Sequence, residues 1–235
     1  MHEDEYHSSW EWTRQHSQWH FDYTRHDQTG EWWQPLGRFQ GDWSQDLQTA
    51  MNNETKAITW ATRKDSPYYR RADGTFEQSK MLHQEENDLR DIGAPVDLAL
   101  TDVTEQTDIG PVITKMYEFF ELQDPWVRLH LQQPGQMFNL HIDKLYDRCP
   151  QDPARIVRIM VMLSDWEPGH FYCFGTQNIS HWRAGDIHTF AWPDVPHATA
   201  NAGRTVRPLL IMTGLATDRT REILAQAQAD NIYPI

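Results

Sequence analysis

Between positions 109 and 122 apolar side chains recur every three or four residues, at Val112, Ile113, Met116, Phe119 and Phe120, the stripe of an amphipathic helix with one buried face. After Pro125 the texture changes. Short apolar runs of strand length occupy 126–131, 137–142, 155–163, 170–174, 179–183, 187–192 and 207–214, separated by breakers such as Gln133-Pro134-Gly135, Glu167-Pro168-Gly169 and Ala184-Gly185-Asp186. Many short strands with turns between them predict a double-sheet jelly roll. Two more helices are expected around it. Phe76, Met81, Leu82 and Leu89 in a polar background suggest one over 75–89, closed by Gly93 and Pro95. Thr217 or Asp218 caps another that runs to about Gln228.

The first 60 positions follow neither period. Seven of the chain's 11 tryptophans lie there (Trp10, Trp12, Trp19, Trp32, Trp33, Trp43 and Trp60), mixed with His, Gln and Asp, so the segment reads as an irregular wrap. Its indoles either anchor an extended segment on the main core or form an aromatic surface for a substrate or partner. The expected organisation is one domain. Residues 1–125 are a Trp-rich wrap with supporting helices, 126–214 the β core, and 215–235 a C-terminal helix. A chain of 235 residues is long enough to bury a full core.

Charge narrows the partners. The net formal charge is -13, and residues 1–140 carry 12 Lys and Arg against 24 Asp and Glu, while 141–215 carry 7 of each. The acidity is N-terminal, and the broad basic surface that duplex phosphates demand is missing, so nucleic acid is not an expected partner. Cys149 and Cys173 have neither metal-knuckle nor disulfide-scaffold spacing and read as reduced thiols. No apolar run is long enough to span a membrane, and Met1-His2-Glu3-Asp4-Glu5 is unlike the basic start of a signal peptide. The expectation is a cytoplasmic protein without a membrane partner, its oligomeric state open. No phosphate loop, dinucleotide fingerprint or nucleophile-base pair is present.

The chemistry concentrates in His141-Ile142-Asp143, followed by His197 and Arg207. In a strand, residues i and i+2 share a face, so His141 and Asp143 are prealigned, and the 54 residues to His197 leave room for strands that return the chain to the same place. Two imidazoles and a carboxylate fill one face of an octahedral ferrous ion and leave three positions open for a chelating co-substrate and dioxygen. A guanidinium nearby can hold that co-substrate's far carboxylate. Asn139 shares the face of His141 by alternation, placing it to touch co-substrate or substrate, or to support a ligand. His170, His181 and His188 lack an acid at i+2 and read as hydrogen-bonded structural histidines. Asp186, in a turn before a strand, reads as a cap for backbone amides.

Three segments carry a family resemblance: 134–143, from the Pro-Gly turn through His141 and Asp143; 185–190, Gly-Asp-Ile-His-Thr-Phe; and 197–207, from His197 to Arg207. Together they resemble the iron(II)- and 2-oxoglutarate-dependent oxygenases, especially the prolyl-hydroxylase-like branch, over about 126–214. The resemblance implies a cupin-like double-stranded β-helix in which His141, Asp143 and His197 bind Fe(II). It also implies that Arg207 pairs with the distal carboxylate of 2-oxoglutarate, with Arg204 in the preceding turn as the alternative. O2 is then the oxidant, and succinate and CO2 are the co-products. A tyrosine frequent before the Pro-Gly turn is absent here, where Gln132 stands three residues before Gly135, and Met162 stands where another tyrosine often contacts the co-substrate.

By alternation Arg158, Met160 and Met162 share one face. Arg158 therefore either binds a substrate anion or makes a structural ion pair at the sheet's rim. Family members that halogenate lack the metal-binding carboxylate, so Asp143 points to hydroxylation. The expected substrate is a small molecule such as an amino acid. Two other readings stay open: a cupin-like metalloenzyme that does not use 2-oxoglutarate, and a non-catalytic jelly-roll binding module.

Overall fold

The computed structural model describes residues 32–52, 57–61, 69–71, 76–77, 102–106, 109–141, 143, 145, 148–193 and 195–235, with backbone alone at 57–61, 69–71, 76–77, 102–106 and 139–141. The first described elements are strand β1 (Gln34–Gln40) and helix α1 (Ser44–Asn52). Strands β2 (Ala57–Ala61), β3 (Tyr69–Arg71), β4 (Phe76–Glu77) and β5 (Asp102–Gln106) follow, then helix α2 (Pro111–Glu118). Next come β6 (Gln123–Gln132), β7 (Met137–His141), β8 (Ile156–Met162), β9 (His170–Phe174) and β10 (Gln177–Ile179). β11 (Asp186–Thr189), β12 (His197–Asn201) and β13 (Arg207–Leu215) complete the core, before helix α3 (Asp218–Gln226) and β14 (Ile232–Pro234).

These strands form two sheets, one in the order β14-β1-β11-β8-β13-β6-β5-β2-β3-β4 and one in the order β10-β9-β12-β7. The architecture is mainly β with few helices, a jelly roll. The larger sheet is buried on both faces at its centre. Leu129, Leu131, Ile159, Val161, Leu210 and Met212 face an outer core shared with α2 and α3 through Ile113, Met116 and Ile223. Met160, Met162, Leu209 and Ile211 face an inner core with Tyr172, Phe174 and Ile179 of the smaller sheet. β13 sits between β8 and β6, which is why it reads as a nearly unbroken apolar run.

The helix expected over 109–122 forms at Pro111–Glu118, where Pro at the first turn needs no N–H partner and Asp46 accepts hydrogen bonds from Val112 and Ile113 N–H at 2.7 and 3.0 Å. The last helix is capped as expected: Thr217 Oγ1 accepts from Thr220 N–H, and Thr220 Oγ1 accepts from Thr217 N–H. Other expectations need correction. Phe76 and Glu77, placed in a helix over 75–89, pair with β3 as strand, while 78–89 lie outside the described residues. The strand expected over 179–183 stops at Ile179, because His181 takes a φ of 60° that a pleated strand cannot continue.

The N-terminal wrap is also more regular than its sequence suggests. β1 pairs with β11 and β14, and Leu36 and Phe39 are fully buried although three residues apart. A bulge between Pro35 and Gly37 resets the register, with Gly37 at a φ of 117°, and so hides the alternation from a period-2 reading. Trp32 enters the inner core and Trp43 the outer, where its Nε1–H donates to the Leu163 carbonyl at 2.8 Å. The side chains of Trp10, Trp12, Trp19 and Trp60 lie outside the described residues.

Candidate active site

β7 and β12 run antiparallel, and their register sets His141 directly opposite His197. Opposite positions in such a pair belong to one face of the sheet. The Pro134-Gly135 turn that launches β7 is tied to β12 at its far end, where Gly135 N–H donates to the Asn201 carbonyl at 2.7 Å and Gly135 takes a φ of 86°. Past β7 the chain brings the Asp143 carboxylate to the His197 ring. Asp143 Oδ2 lies 3.8 Å from His197 Nε2, both residues being less than a tenth exposed.

The ring is poised as a ligand. His197 Nδ1 lies 3.2 Å from the Val195 carbonyl, which can only accept, so Nδ1 carries a proton and Nε2 is the ring nitrogen that faces Asp143, where a neutral imidazole offers its lone pair. A separation of 3.8 Å is shorter than two metal-ligand bonds of about 2.0–2.2 Å, so one divalent ion can touch both atoms. Phe174 stacks at 5.7 Å and Phe190 packs edge-on at 4.8 Å against the imidazole, fixing the ring and drying its surroundings. Among the described residues no three His, Cys, Asp or Glu side chains gather as a metal site. The side chains of His141 and Asn139 lie outside that description.

Arg207, the first residue of β13, is 2% exposed. It faces Gln132 across the ladder, and the Gln132 Oε1 accepts from Nε at 3.0 Å and Nη2 at 2.6 Å. Gln132 is held in turn, its Nε2–H donating to Thr199 Oγ1 at 3.0 Å. Asn201 keeps the start of β13 in place, donating to the carbonyls of Gln132 and Thr205 at 2.8 Å each and accepting from Gly203 N–H at 2.9 Å. The guanidinium lies 5.1 Å from the Tyr172 ring centroid, and its Nη1 is buried without a hydrogen-bond partner. No described carboxylate forms an ion pair with it. Burial lowers its pKa to about 10, still far enough above neutrality to keep it charged.

The inner face of β6 adds Arg128 and His130, which the sequence reading did not single out, and Gln132, which it noted only for standing before the Pro-Gly turn in place of a tyrosine. Arg128, His130 and Gln132 lie opposite Ile211, Leu209 and Arg207, so all three line the interior. Burial, then the positive charges of Arg128, Arg158 and Arg207, hold the His130 pKa well below the usual histidine range. One signal was available. Leu129 and Leu131 alternate with Arg128, His130 and Gln132, but such alternation ordinarily assigns the polar set to solvent. Here the apolar set meets the helices, and the polar set faces inward.

The remaining candidates sort clearly. Arg158 is on the inner face, with Nε 3.2 Å from Asp143 Oδ2 and its side chain 10% exposed. It makes the ion pair allowed for it, inside the roll and not at the rim. Met162 is fully buried in the inner core on the same face. Arg204 stays exposed in the turn before β13, so of these two arginines it is Arg207 that enters the interior. Asp186 caps as expected, accepting from Arg183 N–H at 2.8 Å and from Arg38 Nε at 2.6 Å. His181 is exposed and stacks on Trp166 at 4.5 Å. His170 and His188 are buried, and burial lowers the His188 pKa to about 4 beside Trp33. Both cysteines are free. No helix among the described residues is long and apolar enough to cross a membrane.

No family model and no curated protein matches the sequence. Among solved structures, a Pseudomonas putida prolyl-4-hydroxylase is similar at 18% identity, covering 72% of this chain and 98% of its own, with a TM-score of 0.39. A predicted oxalate decarboxylase from Thermotoga maritima is similar at 15% identity over 48% of this chain and 81% of its own, TM-score 0.32. A cupin 2 conserved barrel domain protein from Salinispora arenicola is similar at 10% identity over 43% and 71%, TM-score 0.28.

Proposed function

We propose that this protein is a non-haem Fe(II)- and 2-oxoglutarate-dependent oxygenase that hydroxylates a small molecule. The observation that carries the reading is Arg207, a guanidinium 2% exposed whose Nη1 reaches no acceptor. A buried charge without a counter-ion is costly, and a carboxylate ligand removes that cost. Gln132, a neutral amide, orients the guanidinium through Nε and Nη2 without cancelling its charge. Such a clamp suits the distal carboxylate of 2-oxoglutarate.

His141, Asp143 and His197 would hold the iron. Bound Fe(II) and 2-oxoglutarate supply an oxidant from O2, one oxygen atom entering the substrate C–H bond and the other the succinate formed with release of CO2. The chain's own contribution is placement and exclusion. Asp143 offers an anionic ligand, and the Val195 carbonyl keeps His197 in the tautomer that exposes Nε2. Phe174 and Phe190 shield the ring from water. Tyr172 donates its hydroxyl to Met160 Sδ at 2.7 Å, and burial pushes its pKa up, so the phenol stays neutral beside Arg207.

The test is succinate formation with Fe(II), 2-oxoglutarate, O2 and a small-molecule panel. We expect a substrate-dependent signal that disappears in Asp143→Ala and Arg207→Ala. Failure to bind both Fe(II) and 2-oxoglutarate overturns the reading. Metal-dependent turnover indifferent to 2-oxoglutarate and to Arg207→Ala would mark a metalloenzyme without that co-substrate.

A further inference from the structure

We infer that Arg158 is the receptor for a carboxylate of the substrate, and that the molecule oxidised is a small acid attacked at the carbon α or β to that group. The inference rests on the oxygenase reading for the reaction, but the anion subsite stands on its own geometry. The Arg158 side chain is nine-tenths buried, and its guanidinium donates no hydrogen bond among the described residues. Its one ionic contact is with Asp143 Oδ2 at 3.2 Å, where Nε does not point at the oxygen well enough to form a hydrogen bond. The buried Nε–H has no acceptor, which is unfavourable unless a ligand supplies one, and the rest of the guanidinium, with no hydrogen-bond partner among the described residues, is left to face that ligand.

Position sets the ligand's size. The Asp143 oxygen beside Arg158 is the same atom that faces His197 Nε2, so an anion on this guanidinium lies next to the metal position. Little carbon skeleton fits between the carboxylate and the carbon that reacts. One guanidinium with a planar fork matches one carboxylate, bidentate and singly charged. Arg158 and Arg207 are also separated along the wall. β13 places Thr213 opposite Arg158 and begins at Arg207, so the two arginines are rooted about 20 Å apart along the strand, while their long side chains converge enough for both charges to act on His130 and Tyr172. Two anions can therefore be held by two different arginines, co-substrate at one end and substrate toward the other.

The experiment measures binding by ligand-observed NMR to the full chain loaded with Zn(II) and saturating 2-oxoglutarate. The probes are C3 to C6 carboxylic acids, each paired with its carboxamide. We expect each acid to bind about ten- to a hundredfold more tightly than its amide, the range of a charge-assisted hydrogen bond. Arg158→Gln should abolish the preference and Arg158→Lys retain part of it, with 2-oxoglutarate affinity unchanged in both. Acids and amides binding alike to the unmutated protein overturn the inference without any variant having to fold. So does a phosphate monoester that outcompetes its matched acid. If Arg158→Gln weakens Zn(II) binding and leaves the acid preference intact, Arg158 supports Asp143 and nothing more. Failure of the oxygenase reading looks different: 2-oxoglutarate does not bind, while the acid preference and its loss in Arg158→Gln persist.

Discussion

The two ends of the inner wall use arginine in opposite ways. At the Arg207 end the guanidinium is gripped by Gln132, itself tied to Thr199, so its orientation is set before any ligand arrives. At the Arg158 end the guanidinium has an anionic neighbour in Asp143 but no hydrogen bond. Among the described residues the first is preorganised and lacks a counter-charge, whereas the second has a counter-charge and lacks directional contacts. A preorganised receptor suits a ligand that is the same in every turnover, because little ordering cost remains at binding. A loosely held one suits a group that must arrive after the metal and co-substrate are in place.

The strongest way to break the contrast is to remove what the two ends share. Asp143→Ala should abolish Fe(II)-dependent turnover and, by leaving Arg158 buried without its partner, lower stability by about 3 kcal/mol in chemical denaturation. His197→Ala should abolish turnover alike, with metal binding read by calorimetry. Next in size is Arg207→Gln, for which 2-oxoglutarate affinity should fall about 30-fold or more, with Arg207→Lys recovering only part because it keeps the charge and loses the fork. Equal losses in Arg207→Gln and Arg158→Gln would erase the distinction between the ends.

A finer probe is Gln132→Leu, which keeps both arginines and removes the grip on one. We expect a roughly tenfold loss of 2-oxoglutarate affinity with Zn(II) binding unchanged, as for other residues that orient a ligand-holding group. The smallest effect concerns acid. His188 has a folded pKa of about 4 against an ordinary 6.5, so the unfolded chain binds the proton more readily between those values. Stability is then full above about pH 6.5 and declines as pH falls toward 4, by no more than about 3 kcal/mol. Asp186 is the charged neighbour that opposes the shift. Urea melts across that range should show the slope, and His188→Leu should flatten it.

Much of this was legible along the chain because it is local. The helix at Pro111–Glu118, the capped C-terminal helix and most core strands follow from side-chain period and turn residues within a few positions. The strand in Gln34–Gln40 was not, since its bulge spoils the period that would have revealed it. The residues around Arg207 escaped for a different reason. Arg128, His130 and Gln132 look like the wet face of an edge, and only packing of the opposite face against helices shows that they point inward.

The sequence by itself determined the jelly-roll class and the His-x-Asp pair with a later histidine, and through the family resemblance it set the expectation of Arg207 over Arg204 as an anion's partner. Tertiary structure decided what each arginine meets. Gln132 and Arg207 are 75 residues apart, and the contact between Arg158 and Asp143 joins a strand to the segment after another strand. Alternation states that two faces exist and which residues share one. Which face becomes the interior is decided by long-range pairing and by what packs behind the sheet, and that choice turned the polar face of β6 inward.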